Sequence, residues 1–197
     1  MAALRAEALT CPRCHLAETR TQVVFGEGNG QVRIMVVGQG PGAVEDETGR
    51  PFVGPAGALL DRALAEAGLS RGQLWITNIV KCRATKTEKG RLVDRPPFAA
   101  EVKACRPWLE GEIDTVRPRI IVCLGTPAAQ ALIKKGFRMG EEHGQWHEGP
   151  SGVKFLATFH PAYVLRLKSV DEEAYQRTWR ALVEDLRKVA AAMHEQA

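Results

Sequence analysis

Four short apolar segments, each bounded by polar residues or glycine, are spaced along the chain. They are rich in β-branched side chains and too short to be buried helices, which is typical of parallel strands covered on both faces. We therefore predict strands at residues 32–37, 74–80, 119–124 and 153–159.

Segments with the periodicity of amphipathic helices alternate with these strands. In the first, Leu60, Ala63 and Leu64 share one face, and Gly68 follows as a stop signal. The predicted helices are residues 56–67, 98–116 with a kink or a break at Pro107, 126–135 and 171–193. This alternation predicts a single domain with an α/β fold, a three-layer α/β/α sandwich with a mostly parallel four-stranded central sheet.

The composition fits one soluble globular domain over residues 1–197, with 45% hydrophobic and 25% charged residues. A net charge of +4 permits a nucleic-acid partner without requiring one. No apolar run approaches the roughly 20 residues that span a bilayer, and the first residues lack the apolar core of a signal peptide. We expect a cytoplasmic monomer without a membrane partner. The polar, proline-terminated stretch 85–97 is predicted to be a surface loop.

The first strand stops at a glycine-rich loop, Gly38-Gln39-Gly40-Pro41-Gly42. Loops at the carboxyl ends of parallel strands are where ligands bind in open α/β sheets, and glycines let the main chain approach a ligand closely. The loop lacks the nucleotide-phosphate signatures G-x-G-x-x-G and G-K-[ST]. An ordinary strand-to-loop turn is the alternative, but Phe52 between two glycines further along favours a binding loop.

Polar residues follow three of the predicted strands at their ends. Gln39, Asn78 and His160 would meet at one edge of a parallel sheet and could line a single crevice. The amide of Asn78 offers a donor and an acceptor side by side, the pair that is needed to read a base edge. The simpler alternatives are a polar strand end for Asn78 and a surface or core histidine for His160.

Four of the five cysteines suggest a metal site. Cys11 and Cys14 form a C-x2-C pair, whereas Cys82 follows a strand and Cys105 lies within a predicted helix. Four thiols can hold one zinc ion or one iron–sulfur cluster. A structural zinc usually has two C-x2-C pairs, so a single pair with two dispersed cysteines favours a [4Fe–4S] cluster. Cys123, within a buried strand, is predicted to be an unligated core residue.

Six motifs occur in an order that resembles the iron–sulfur (family 4 type) uracil-DNA glycosylases. The resemblance extends from Cys11 to about Arg166. The motifs are Cys11-x2-Cys14, GQGPGAVEDETGRPFVG, ITNIVKC, ACRPWL, IIVCLG and FHPA.

The resemblance implies a repair enzyme that flips uracil out of DNA and hydrolyses its N-glycosidic bond, leaving an abasic site. It implies that Cys11, Cys14, Cys82 and Cys105 hold a [4Fe–4S] cluster. Phe52 would stack on the flipped base, Gly38 and Gly40 would line its pocket, and Asn78 would read its edge. His160 would donate a hydrogen bond to uracil O2 as negative charge develops on the leaving base.

Further expectations concern the DNA and the walls of the base pocket. By the same resemblance, the turn 162–166 presses on the duplex with Val164 or Leu165 as a wedge, next to Arg166. Glu45 is a candidate for the wall that rejects the thymine methyl and, with Asp46, for accepting a proton from water. In the 85–97 loop, we expect phosphate contacts from Lys86, Lys89, Arg91 and Arg95.

Two departures from the family pattern affect the prediction. The family usually has glutamate where this chain has Gln39, and glutamine can orient a water molecule but cannot take its proton. The loop between Cys82 and Cys105 is longer than usual and is similar to that of relatives that cross-link to uracil-DNA through a loop histidine. This loop has Asp94 at about that place and contains no histidine, so we expect no cross-link.

The leading hypothesis is therefore a monofunctional uracil-DNA glycosylase that acts on uracil in single- or double-stranded DNA. A non-catalytic protein that binds damaged DNA is the main alternative, because of Gln39. A glycosylase for another deaminated base, hypoxanthine or xanthine, is the second.

Overall fold

The four predicted strands form the parallel centre of one sheet in the computed structural model, which describes residues 1–194. In this range the strands are β1 (Glu27–Gly28), β2 (Ile34–Gly38), β3 (Leu74–Asn78), β4 (Thr85–Glu88), β5 (Arg91–Asp94), β6 (Ile120–Leu124), β7 (Trp146–Glu148) and β8 (Lys154–Thr158). The order of the large sheet is β1-β3-β2-β6-β8-β7.

The central strands β3, β2, β6 and β8 run parallel, as predicted. The edge strands β1 and β7 pair antiparallel to their neighbours and make the sheet six-stranded within the described chain. These two edges escaped prediction because they have only two and three residues, too few to show an apolar pattern.

Helices cover both faces of the sheet, which completes the predicted three layers. Over the described residues they are α1 (Ala2–Leu9), α2 (Leu16–Thr19), α3 (Ala43–Thr48), α4 (Pro55–Glu66), α5 (Ala99–Val116), α6 (Thr126–Leu132), α7 (Met139–Glu142), α8 (Pro161–Leu167) and α9 (Glu172–His194). None of the helices in residues 1–194 is long and apolar enough to cross a membrane.

Alternation along the central strands creates two separate cores. In β2, Met35 and Val37 join the core that contains Ala8 of α1 and Trp108 of α5, while Ile34 and Val36 join a second core, beneath α4, α8 and α9. Successive side chains of a strand point to opposite faces, so an unbroken apolar run supplies both cores at once.

Two of the predicted elements differ from the structure. Helix α5 continues through Pro107 as one helix, so the break that we considered is wrong. The predicted loop 85–97 contains a β-hairpin, in which Thr85 pairs with Asp94 and Glu88 with Arg91. The hairpin is mostly exposed and has no buried face, so its sequence lacks alternating apolar residues. Lys89 and Gly90 both have positive φ, 48° and 76°, as a two-residue type I′ turn requires.

Candidate active site

A crevice of about 1000 Å³ opens at the carboxyl ends of the parallel strands. The structure brings most of the predicted catalytic and base-binding residues to its wall. These are Gln39, Gly40, Glu45, Phe52, Asn78 and His160. The strands β2 and β3 end at the same level because Gly38 pairs with Asn78 in register, and this is how the two loops come together.

Gly38 lies behind this wall. A Cβ at Gly38 would be 2.4 Å from the Phe52 ring and 2.5 Å from Asn78 Oδ1, closer than real contacts allow. Gly38 therefore permits Phe52 and Asn78 to pack against the main chain. This differs from the expectation that Gly38 itself lines the pocket, whereas Gly40 does line the crevice.

The side chain of Asn78 presents an unused acceptor. Asn78 is 1% exposed, and its Oδ1 is buried without a hydrogen-bond partner within residues 1–194. Buried polar atoms are nearly always paired, and an unpaired one costs about 1–3 kcal/mol. A ligand that donates a hydrogen bond from the crevice would remove that cost.

His160 is fixed as a neutral hydrogen-bond donor. It caps the first turn of α8, and its Nδ1 accepts a hydrogen bond of 3.1 Å from the backbone N–H of Ala162. The remaining proton of the neutral ring is therefore on Nε2. Burial, with a smaller effect of the positive charge on Arg166, lowers the pKa of His160 to about 4. The ring lies 5.7 Å from that of Phe52, centroid to centroid.

Phe52 is held in a strained backbone conformation. Its φ of 52° is in the left-handed region, which costs a non-glycine residue about 1–2 kcal/mol. The guanidinium of Arg71 donates to the carbonyl oxygens of Phe52 (2.8 Å) and Pro51 (2.9 Å), and Asp61 pairs with Arg71 at 3.0 Å. A Cβ at Gly57 would be 2.0 Å from the Phe52 carbonyl oxygen. These contacts keep the Phe52 ring beside His160.

Glu45 ties two loops of the crevice together. Its Oε1 accepts hydrogen bonds from the backbone N–H groups of Val53 (3.0 Å) and Gly54 (2.7 Å), and its Oε2 accepts one from Gly42 (3.2 Å). Asp46 accepts in the same way from Thr21 and Gln22. Both carboxylates are buried. Proton acceptance by either remains a prediction, and these backbone bonds weigh against it.

A second, smaller cavity brings together the cysteines predicted to bind a cluster. Cys11, Cys14, Cys82 and Cys105 all line it. Within residues 1–194, no three His, Cys, Asp or Glu side chains form a group that could hold a metal ion. Cys123 is fully buried in β6, away from this cavity.

Nitrogen donors surround the sulfur atoms of this cavity. The indole Nε1 of Trp108 donates to Cys11 Sγ at 3.1 Å, and the backbone N–H of Lys81 donates to Cys105 Sγ at 3.1 Å. Arg20 donates to Cys82 Sγ at 3.5 Å. Burial raises the pKa of the Cys82 thiol and raises that of Cys105 to about 11.

Comparisons with known proteins identify the family of this chain. The sequence profile of the uracil DNA glycosylase superfamily matches residues 25–183. The chain belongs to this superfamily. It is 41% identical to the type-4 uracil-DNA glycosylase of Pyrobaculum aerophilum over 79% of this chain and 80% of that protein. The type-4 uracil-DNA glycosylases of Thermotoga maritima and Sulfurisphaera tokodaii are 39% and 36% identical, over 90% and 88% of this chain and 86% and 81% of theirs.

The turn expected to press on DNA presents other side chains than predicted. Val164 is fully buried in the core beneath α4 and α9, so the prediction that it forms a wedge is wrong. Leu165 lines the crevice and is half-buried, while Arg166 is exposed at its rim. Tyr163, for which the sequence predicts no role, is 42% exposed and also lines the crevice.

The last hairpin residue and the three that follow it, residues 94–97, form another wall of the crevice. Arg95 makes a bidentate ion pair with buried Glu101, at 2.6 and 2.9 Å, which contradicts its predicted role as a phosphate contact. Lys86 pairs with Glu88 on the same strand at 2.6 Å. Lys89 and Arg91 are exposed at the tip, as phosphate contacts need to be.

Sequence reasoning also missed two charged residues that support the site from behind. Arg71 holds the loop of Phe52, and a single arginine in a polar turn gave no signal of that role. Lys81 is 1% exposed and pairs with Glu112 at 2.6 Å. The only available signal was its position inside the motif ITNIVKC, between Asn78 and Cys82.

Proposed function

We propose that this protein is a monofunctional uracil-DNA glycosylase. One observation carries the proposal: Phe52, the unpaired acceptor of Asn78 and the neutral donor His160 share one crevice. Membership of the uracil DNA glycosylase superfamily supplies the reaction class. Uracil within a duplex is out of reach of such a site, so the nucleotide has to be flipped out of the helix.

Base recognition rests on Phe52 and Asn78. The Phe52 ring stacks on the flipped uracil and returns about 1–3 kcal/mol of the stacking that flipping removes. Uracil offers N3–H as a donor and O4 as an acceptor, which match Asn78 Oδ1 and its amide N–H. Cytosine presents the reverse pattern at these two positions, so it would leave the buried amide mispaired.

Bond cleavage rests on His160. The glycosidic bond breaks with negative charge developing on the uracil ring, and the Nε2–H of His160 donates to O2 where that charge accumulates. A neutral imidazole donates throughout the neutral pH range because its pKa is near 4. The sugar becomes electron-poor and is attacked by water, which Gln39 orients through its side-chain amide.

Gln39, which cannot act as a general base, is compatible with an active enzyme. General base catalysis typically contributes about 10²–10⁴-fold, whereas enzymes commonly accelerate reactions by more than about 10⁶-fold. Water attacks a strongly electrophilic carbon late in the reaction and so needs little prior deprotonation. Charge stabilisation by His160 and by the substrate's own phosphates supplies the larger share.

Cys11, Cys14, Cys82 and Cys105 are proposed to hold a [4Fe–4S] cluster. The donor set fits, because four thiols line one cavity and three of their sulfurs accept N–H hydrogen bonds, as cluster sulfurs do. When bound, the cluster supplies a structural cross-link, since hydrolysis moves no electrons.

The experiment is excision of uracil from a labelled oligonucleotide, read as alkali-labile sites on a denaturing gel. We expect activity in the wild type, a large loss in Asn78→Ala and His160→Asn, and a smaller loss in Gln39→Ala. Gln39→Glu should be no worse than wild type, and Asn29→Ala, in an exposed loop, is the matched control. Tight binding of uracil-DNA without any alkali-labile product would favour the non-catalytic alternative. Activity confined to hypoxanthine or xanthine would change the substrate.

A further inference from the structure

Three aromatic rings form a row that leads to the crevice. The rings of Phe159 and Tyr163 both line it and lie nearly parallel, 6.2 Å apart and inclined by 22°. The ring of His143 packs against that of Phe159, and the two ring centroids are 4.8 Å apart. Both separations are those of interacting aromatic pairs. At the crevice end of the row, Tyr163 leaves 42% of its surface exposed.

The far end of the row is anchored by a buried carboxylate. Asp185 on α9 is 1% exposed; its Oδ2 lies 2.8 Å from Nδ1 of His143 and accepts a hydrogen bond of 2.7 Å from Thr158. His143 and Asp185 are not among the described residues that line the crevice. Their contacts fix the ring behind Phe159, so Phe159 and Tyr163 rest on a rigid support.

A cation stands beside the exposed ring. Arg166 follows Tyr163 by three residues on α8, so the two side chains lie on the same side of that helix. Arg166 is exposed and lines the same crevice. An aromatic face next to a cation matches the chemistry of a nucleotide, in which a flat base is joined to a phosphate.

We infer that Tyr163 is a stacking site for the base next to the uracil in single-stranded DNA, with Arg166 at the phosphate between them. This inference rests on the proposed function, because the strand that delivers uracil to Phe52 must continue over the rim where Tyr163 lies. In a duplex the neighbouring base stays paired and stacked on its own strand. In a single strand it is free to stack on Tyr163, so the site favours single-stranded substrate.

The first test compares excision from matched single-stranded and double-stranded oligonucleotides. Tyr163→Ala should lower kcat/KM on the single strand by about 10-fold or more, the range for one lost base–aromatic stack, and lower it much less on the duplex. Tyr163→Phe keeps the ring and should match wild type on both. Trp146→Ala is the matched control, because Trp146 is 37% exposed but lies outside the crevice.

The second test detects the stacked base directly. A single strand carries 2-aminopurine next to a 2′-fluoro-arabino uracil nucleotide, which resists cleavage. Stacking on a tyrosine quenches 2-aminopurine, so the complex with wild type or Tyr163→Phe should be dimmer than that with Tyr163→Ala at saturating protein. Thermal melting checks that each variant is folded.

The outcomes separate this inference from the proposed function. A wild type that does not excise uracil refutes the proposed function itself, whether or not it binds uracil-DNA. An active wild type with equal losses on both substrates in Tyr163→Ala, or with no loss, overturns the stacking site. Equal 2-aminopurine fluorescence in the wild-type and Tyr163→Ala complexes overturns it as well.

Discussion

Arg71→Met is expected to damage the base pocket from outside it. Arg71 is not among the crevice-lining residues in the described chain, yet its guanidinium holds the carbonyl oxygens of Pro51 and Phe52. Phe52 is left-handed, with φ at 52°, and without Arg71 its backbone can relax to a lower-energy region. Relaxation at Phe52 would move its ring away from that of His160. In the wild type the two ring centroids are 5.7 Å apart.

The contacts of Arg71 set the size of the effect. Hydrogen bonds from a charged donor contribute about 1.5–3 kcal/mol each, but the side chain of Arg71 is 28% exposed and water can replace part of that. We expect the free energy of unfolding to fall by about 1–3 kcal/mol. If the Phe52 ring no longer stacks on uracil, about 1–3 kcal/mol of binding is also lost, and kcat/KM falls by about 10- to 100-fold.

The assay pairs excision kinetics with inhibition by free uracil. A displaced Phe52 ring weakens that inhibition, whereas a general loss of folded protein lowers kcat and leaves the inhibition constant unchanged. Arg177→Met is the matched control, because Arg177 forms an exposed i,i+4 pair with Glu173 on α9. Wild-type kcat/KM and wild-type uracil inhibition in Arg71→Met would refute the reasoning about Phe52.

Three further predictions follow from the cysteine cavity, the histidine and the hairpin. Cys82→Ala should lose iron, acid-labile sulfide and solubility while Cys123→Ser keeps them; stoichiometric zinc in a colourless wild type would contradict the cluster. Because the folded state of His160 has a pKa near 4, below its ordinary value of about 6.5, the unfolded chain binds the proton first as the pH falls. As the pH falls from about 6.5 to about 4, the free energy of unfolding of wild type in urea, taken relative to that of His160→Asn, should therefore fall by at most about 3 kcal/mol. Parallel pH profiles of stability for the two proteins would refute this prediction. Neutralising Lys89 and Arg91 together should weaken DNA binding and flatten its salt dependence, and the wild type should form no covalent adduct with DNA. If the dependence of affinity on salt is unchanged in this variant, the hairpin does not contact DNA phosphates.

The central architecture could be predicted because its signals are local. The four parallel strands are short apolar runs, and their polar ends place Gln39, Asn78 and His160 together by topology alone. Burial on both faces makes the run continuous, and a parallel sheet puts all carboxyl ends at one edge. The site therefore follows from the order of the strands.

The remaining features depend on contacts that no local pattern encodes. The strain at Phe52 becomes visible only with Arg71 and Gly57 against its carbonyl oxygen. Each residue of a helix faces a different direction. The packing of α8 on α4 therefore determines that Val164 is buried while its neighbours are exposed or half-buried. In the sequence Arg95 has the features of a free cation, and only the fold shows that it pairs with Glu101.

Lys81 connects the two cavities of the molecule. Its ammonium donates to the Asn78 carbonyl oxygen at 2.9 Å and pairs with Glu112 at 2.6 Å, and its backbone N–H donates to Cys105 Sγ at 3.1 Å. A buried ion pair adds little stability over an apolar pair of the same size, but breaking one leaves an uncompensated buried charge. The segment from Asn78 to Cys82 is thus fixed at both ends. Asn78 faces the crevice, and Cys82 is a proposed cluster ligand. A cluster that held Cys82 and Cys105 would therefore position the Asn78 amide, which we propose reads the base, without touching the substrate.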